Sequence, residues 1–261
     1  MSKIKLAEMF YSLQGEGPHA GHPAVFLRLA GCNLVCGGDE NLDREPEDFE
    51  PEGDASWVCD TIDVWREPDE LLTPSELLSG WNARGWIQSL LDGTHLVLTG
   101  GEPTLPNHQE AFVKTMAEFI RGHGTTPYVE VETNGTLVPT DDFDRYVNQY
   151  NVSLKLSNSG MSEDRRLDDG AIAFHCNKHE QPGSADSKFK FVVSERDDLV
   201  EILELQEEYA IPESMISVMP AGYTQEALRE TYPFAAEIAK ERNWDFSPRL
   251  HVDAWAQATG V

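Results

Sequence analysis

Strand-like and helix-like stretches alternate along this chain, and most of the strands run out into polar, glycine-bearing loops. That alternation leaves few folds open. Residues 24–30 (AVFLRLA), 95–99, 128–133 (YVEVET), 152–156, 187–193 (SKFKFVV), 215–219 and 246–255 read as strands. Thr73, with Glu76 three residues on, opens a helix that runs to about Leu91 and breaks near Gly80 or Gly85. Residues 109–121, 199–209 and 225–242 have helical spacing, whereas segment 4–11 is short and mixed. The pattern predicts a parallel α/β sheet, open or barrel-like. No internal repeat or break in composition divides it, so residues 1–261 are expected to form a single domain. In such folds chemistry sits at the C-terminal ends of the strands. Five loops fall at that edge: the cysteine loop, TGGEP, ETNG, KLS and MPAG.

Apolar residues make up 40% of the chain, a globular content, yet no apolar run approaches the roughly 18 residues that span a bilayer. The start, MSKIKLAEMFYSLQGEG, has no signal-peptide stretch, so a soluble, cytoplasmic protein is expected. With 46 acidic against 20 basic residues the net charge is -26, a field that repels nucleic-acid backbones and anionic membranes. The acids are spread along the whole chain. That favours a solvated surface suited to a high-salt, halophilic cytoplasm over an acidic partner-binding face.

Three of the four cysteines, Cys32, Cys36 and Cys59, fall close together in the chain, which points to metal or cluster chemistry rather than a disulfide framework. Residues 37–55 (GGDENLDREPEDFEPEGDA) are almost devoid of apolar side chains and are expected to loop out, partly disordered, letting Cys59 return beside Cys36. Three thiolates without an obvious fourth suit an iron–sulfur cluster with one open iron, since closed clusters take four cysteines. Cys176 could be that fourth ligand. Its surroundings, His175-Cys176-Asn177-Lys178-His179, also admit a zinc site, although adjacent side chains diverge.

GCNLVC followed by TGGEP resembles the radical S-adenosylmethionine (SAM) enzymes. More narrowly, SLQGEGPHAGHPAVFLRLAGCNLVC, CDT, ETNG, KLS, MPAG and SPRLHVDAW, spread over nearly the whole chain, resemble the 7-carboxy-7-deazaguanine synthase family. The superfamily usually has Cys-x3-Cys-x2-Cys; here the acidic insert displaces the third cysteine. The resemblance implies a partial, TIM-like barrel of parallel strands with a radical SAM core. It implies a carbon–nitrogen lyase that contracts the ring of 6-carboxy-5,6,7,8-tetrahydropterin to 7-carboxy-7-deazaguanine with loss of ammonia, feeding queuosine, archaeosine or DNA-deazapurine synthesis.

It also implies roles residue by residue. Cys32, Cys36 and Cys59 hold a 4Fe–4S cluster whose fourth iron takes SAM, cleaved to a 5′-deoxyadenosyl radical. Gly100, Gly101, Glu102, Glu132, Asn134, Lys155 and Ser157 contact SAM. Leu13, Gln14, Glu16, Gly17, Arg28, Thr99 and His251 contact the pterin, Arg28 as a guanidinium fork for its carboxylate. Thr61 of CDT ligates Mg²⁺, with Asp60 and Asp63 nearby. A flavodoxin- or ferredoxin-type electron donor and a homodimer are implied as well. Two other functions share the cysteine motif: an activase forming a glycyl radical on a partner protein, and a non-catalytic protein using the cysteines for structural metal binding.

Overall fold

The computed structural model describes residues 3–178, 185–256 and 258. Among them nine strands form one sheet: β1 (Ile4–Leu13), β2 (Pro23–Leu29), β3 (Glu70–Leu72), β4 (His95–Gly100), β5 (Val129–Thr133), β6 (Gln149–Val152), β7 (Asp186–Val193), β8 (Ile216–Pro220) and β9 (Asp245–Phe246). The helices are α1 (Ile62–Trp65), α2 (Pro74–Ala83), α3 (Trp86–Leu91), α4 (Pro106–His123), α5 (Asp141–Asp144), α6 (Glu163–Arg166), α7 (Asp169–Lys178), α8 (Asp198–Glu208), α9 (Gln225–Arg242) and α10 (Leu250–Trp255). The strand order is β3-β1-β2-β4-β5-β6-β7-β8-β9, with β3 and β9 at the edges, so the barrel is incomplete. From β2 through β4 to β9 neighbours run parallel. No helix among the described residues is long and apolar enough to cross a membrane.

Side chains on a strand point alternately to its two faces, and here the alternation separates two environments. Val25, Leu27, Leu29, Leu96, Leu98, Val129, Val131, Phe189, Phe191, Ile216 and Val218 form the main core with Trp81 of α2, Phe112 and Met116 of α4 and Ile238 of α9. The opposite face carries Arg28, Thr99, Glu130, Glu132, Asn151 and Lys190, and lines the barrel interior. Burying one large aliphatic or aromatic side chain is worth about 1.5–3 kcal/mol, so this outer layer is what the helices are held by.

The structure corrects the sequence expectations at several places. The sheet is not wholly parallel: β1, formed by the short, mixed segment 4–11 and its neighbours, pairs antiparallel with β2 and β3. Its mixed composition follows from Glu8 facing inward to Arg28 while Ile4 and Leu6 join the core. The strand expected over 152–156 is β6, a few residues earlier; its inward Gln149 and Asn151 mask the strand signal. The strand expected over 246–255 is only the two-residue β9, because Pro248 lacks an N–H for the ladder and α10 follows. The helix expected over 73–91 does break where the glycines suggest: a Thr73–Glu76 capping box opens α2, and Gly85 (φ 76°) separates it from α3.

The acidic insert is ordered. Asn41 is fully buried; its amide donates to Gly37 O (3.1 Å) and Glu50 O (3.0 Å), and its carbonyl accepts from Glu50 N (3.1 Å). Arg44 pairs with Glu40, Glu50 and Glu52, each at 3.0 Å. A loop with little apolar content thus folds on one buried amide and one guanidinium, with Leu42 and Phe49 packed against Val35, Ile62 and Trp65. Replacing Asn41 by Ala strands these backbone groups and is expected to cost about 2 kcal/mol. Denaturant melts and limited proteolysis check this: new cleavage should appear within residues 42–52, and an unchanged digest would show that the amide does not hold the loop.

Candidate active site

The C-terminal end of β2 leads through Gly31 (φ 96°), whose N–H donates to Trp65 O at 2.7 Å, straight into Cys32. Cys32, Cys36 and Cys59 share an apolar cluster with Leu34, Trp57 and Met161. Cys59 N donates to Cys36 O at 3.0 Å, so the excursion of the insert closes where it began. A Cβ at Gly37 would sit 2.6 Å from Val58 Cα, which is why the returning chain can pass so close. Burial, with Glu102 nearby, pushes the Cys32 thiol up to about 12, and burial pushes Cys36 up to about 11. Thiols so placed ionise only when a cation takes the proton's place.

Three thiolates gathered in one cluster are the donor set that a 4Fe–4S cluster with one open iron would take. Cys176 is elsewhere, half-buried on α7 against the main core. Its neighbour His175 is buried against Ser187 Oγ (3.2 Å), and His179 lies outside the described residues.

The loops after β4 and β5 are stapled to the cysteine loop. Gly101 N donates to Leu29 O (2.8 Å) and Glu102 N to Gly31 O (2.9 Å). A Cβ on Gly101 would fall 1.9 Å from Gly31 O, and one on Gly100 2.5 Å from the Leu29 backbone, so the glycine pair is required by the approach of β2 itself. The Glu102 carboxylate is fully buried and accepts from Thr104 N, Thr104 Oγ1, Thr133 Oγ1 and Asn134 N at 2.6–2.8 Å. Asn134 in turn donates to Asn33 Oδ1 at 2.8 Å and stands 3.8 Å from Cys32 Sγ. Lys155 bonds Ser153 Oγ (2.9 Å) and lies over the Trp57 ring, whereas Ser157 is taken by Glu201 of α8 (2.7–3.0 Å). Thr61 stands at the N-cap position of α1 without a side-chain cap bond, and its hydroxyl is 3.4 Å from Cys59 Sγ.

Because β1 is antiparallel, its end at Leu13 lies opposite Pro23, at the start of β2. The QGEG loop therefore enters the interior from the end away from the cysteines. Gln14, buried, donates to Glu132 (3.2 Å), which also accepts from Thr99 Oγ1 at 2.6 Å. Gly17 N donates to Ser247 Oγ at 2.8 Å. Glu16 pairs with Lys190 of β7 and with Arg249 (3.2 Å), and Arg249 also pairs with Asp60 beside the third cysteine. Burial alone would raise the Glu16 carboxyl; Lys190 and Arg249 outweigh it and hold it well below the usual range. Nδ1 of His251 packs on Gly15, and its Nε2 is 4.0 Å from Glu16. Arg28 stands apart from this group, paired with Glu8 at 2.6 Å.

Sequence reasoning missed Lys190, Arg249 and Trp57. Lysines alternating with Phe and Val in SKFKFVV were the available signal for Lys190, since a strand with a polar inner face must show period two. Arg249 lay inside a quoted motif. For Trp57, at the end of the insert, no local signal existed.

An α/β sheet with three converging cysteines and a glycine-pair loop at the C-terminal ends of its strands defines a radical SAM enzyme. No family model matches the chain. It is 32% identical to the 7-carboxy-7-deazaguanine synthase of Pyrobaculum aerophilum, covering 99% of this chain and 97% of that one. It is 30% identical to that of Halobacterium salinarum, covering 98% and 91%. The crystal structure of QueE from Escherichia coli superposes with a TM-score of 0.61 at 22% identity, covering 96% of each chain. The chain belongs to the 7-carboxy-7-deazaguanine synthase family, enzymes of the lyase class.

The Glu16–Lys190 pair makes a direct prediction. Lys190→Met leaves a buried carboxylate with Arg249 alone and is expected to destabilise by about 3–5 kcal/mol, while Glu16→Gln combined with Lys190→Met should recover part of that loss. Urea melts of the four-member cycle measure the coupling; additive losses would contradict it. The Glu16 contribution is present above the ordinary carboxylate range and is lost as pH falls through its depressed value, so the coupling should fade in acid.

Proposed function

We propose that this protein performs the radical ring contraction of 6-carboxy-5,6,7,8-tetrahydropterin to 7-carboxy-7-deazaguanine, with release of ammonia. The observation that carries this is the convergence of Cys32, Cys36 and Cys59 at the mouth of a polar-lined barrel in a chain of this family. The three sulfurs would hold three irons of a 4Fe–4S cluster and leave the fourth for SAM. When bound, the cluster and SAM supply the one-electron chemistry that removes and later returns a hydrogen atom at C6 of the pterin.

The chain's task is to bind, orient and exclude water. Gly100 and Gly101 offer a bare backbone edge to the methionyl end of SAM, with Asn134 beside Cys32. Glu102 contributes by holding that edge, since its carboxylate is spent on Thr104, Thr133 and Asn134. Lys155 and Trp57 form the adjoining wall, and Ser157 fixes it to α8. Gln14 and Glu16, with Leu13 and Gly17 behind them, face the amide and amino edge of the pterin; Thr99 and Glu132 back them. Arg28 is the fork for the substrate carboxylate, which then competes with Glu8. His251 closes the loop side.

Thr61 supplies one hydroxyl oxygen to a Mg²⁺ whose other ligands are water and substrate oxygens, the usual mode for that ion. Asp60, held by Arg249, orients this corner. An external donor of flavodoxin or ferredoxin type reduces the cluster, and the enzyme works as a homodimer in a high-salt cytoplasm that screens its acidic surface.

Anaerobic turnover of 6-carboxytetrahydropterin with SAM, Mg²⁺ and reductant at high salt tests this. The expected product is 7-carboxy-7-deazaguanine, falling to background in Cys59→Ala with its circular dichroism intact. Absence of the product from cluster-loaded enzyme, or full turnover by the variant, would overturn it.

A further inference from the structure

A second group of ligand-bearing side chains lies at the other end of the strands. His19 comes from the loop after β1, His95 from the first position of β4 and Glu130 from the start of β5. Along β4 the distance from His95 to Gly100, beside the cysteine loop, is about 17 Å at 3.3–3.4 Å per residue. None of these three residues has a role in the site described above, although Gln14 bonds Glu130.

Their ligand atoms all lie within 4.8 Å of one another. His95 Nδ1 is 2.6 Å and His19 Nδ1 3.3 Å from Glu130 Oε1. His19 Nδ1 is buried and faces Glu130 Oε1 without forming a well-aligned hydrogen bond to it, so a polar atom points into the group with its bonding incomplete. Such an atom costs free energy unless something fills its lone pair. We propose that His19, His95 and Glu130 bind a divalent transition-metal ion of the zinc class.

Two imidazoles and one carboxylate are a donor set for zinc, cobalt or nickel rather than for magnesium or calcium, which take all-oxygen ligands. A tetrahedral centre with bonds near 2.0–2.1 Å sets its ligand atoms about 3.3 Å apart. The His19–Glu130 separation already has that value, and the His95–Glu130 contact opens by about 0.7 Å as the ion replaces the shared proton. The surroundings are fixed as metal sites require. The other Glu130 oxygen accepts from Asn151 Nδ2 (3.0 Å) and Gln14 Nε2 (3.5 Å). The His95 ring is held between His22 (3.8 Å) and Tyr128 (4.2 Å). The His19 side chain, 30% exposed, gives the ion a way in, and a fourth position is left for water. Bound there, the ion ties the QGEG loop to β4 and β5, because Gln14 spans Glu130 and Glu132.

The experiment uses cluster-loaded enzyme, so that the cysteines are already filled, dialysed against Co²⁺ and then Zn²⁺ at high salt. Elemental analysis should find one equivalent beyond the cluster iron, and the melting temperature should rise with the metal. His19→Ala, at a partly exposed position that leaves the fold intact, should lose both the extra equivalent and the rise. Glu130→Gln, which keeps size and hydrogen bonding, should do the same. Two results would overturn the site: no metal beyond the cluster, or equal binding in wild type and both variants. The first would leave the group a hydrogen-bonded triad; the second would place the ion on the acidic surface. Neither readout depends on pterin turnover.

Discussion

The carboxylate of Glu102 is the point on which the upper edge of this molecule is hung. It lies between the loops after β4 and β5 with no exposed surface, and its oxygens take donors from Thr104, Thr133 and Asn134. Burial raises this carboxyl above its ordinary value, and the bonds it accepts from backbone N–H and hydroxyl groups offset only part of that cost. Its own backbone N–H reaches Gly31 O, so the loop bearing Cys32 is fixed to the same hub. The first cysteine is thereby referred to two strands at once, and the third is brought in by the Cys59–Cys36 backbone bond.

The second constraint is the alternation of the strands. An apolar outer face must be covered by helices, and what remains is a polar interior that cannot pack like a core. It is satisfied instead by paired charges: Glu16 with Lys190 and Arg249, Arg28 with Glu8, Glu130 with two histidines. Such pairs are costly to desolvate and are weak evidence for stability, but they fix register and leave directed polar atoms facing a ligand. The antiparallel β1 matters here, because it delivers the QGEG loop from the opposite end and lets one interior be addressed from both sides.

Much of this was legible in the sequence. The capping box at Thr73, the strands before TGGEP and ETNG, and the return of Cys59 past a polar insert all follow from local chemistry. What was not legible depended on tertiary partners. The segment 4–11 hides its strand because its inner face is polar. The insert reads as disordered because composition cannot show that Asn41 and Arg44 find backbone and carboxylate partners eight or nine residues on. Glycines 100 and 101 look like a ligand-approach signal, yet the nearest atoms they spare belong to β2 and Gly31. Glu132 read as a cofactor contact, but its partners are Gln14 and Thr99 on the interior side. Sequence motifs marked which loops gather at the cysteine end of the sheet; which face each side chain serves came only with the fold.

The central claim is that three sulfurs leave one corner of an iron–sulfur cube open to SAM. Electron paramagnetic resonance of the anaerobically reconstituted, reduced protein, recorded with and without SAM, tests it most directly. The expected result is about four irons and four sulfides per chain, with a signal that changes when SAM is added. A four-iron cluster whose signal is indifferent to SAM would mean that a fourth side chain closes the corner, and would contradict it.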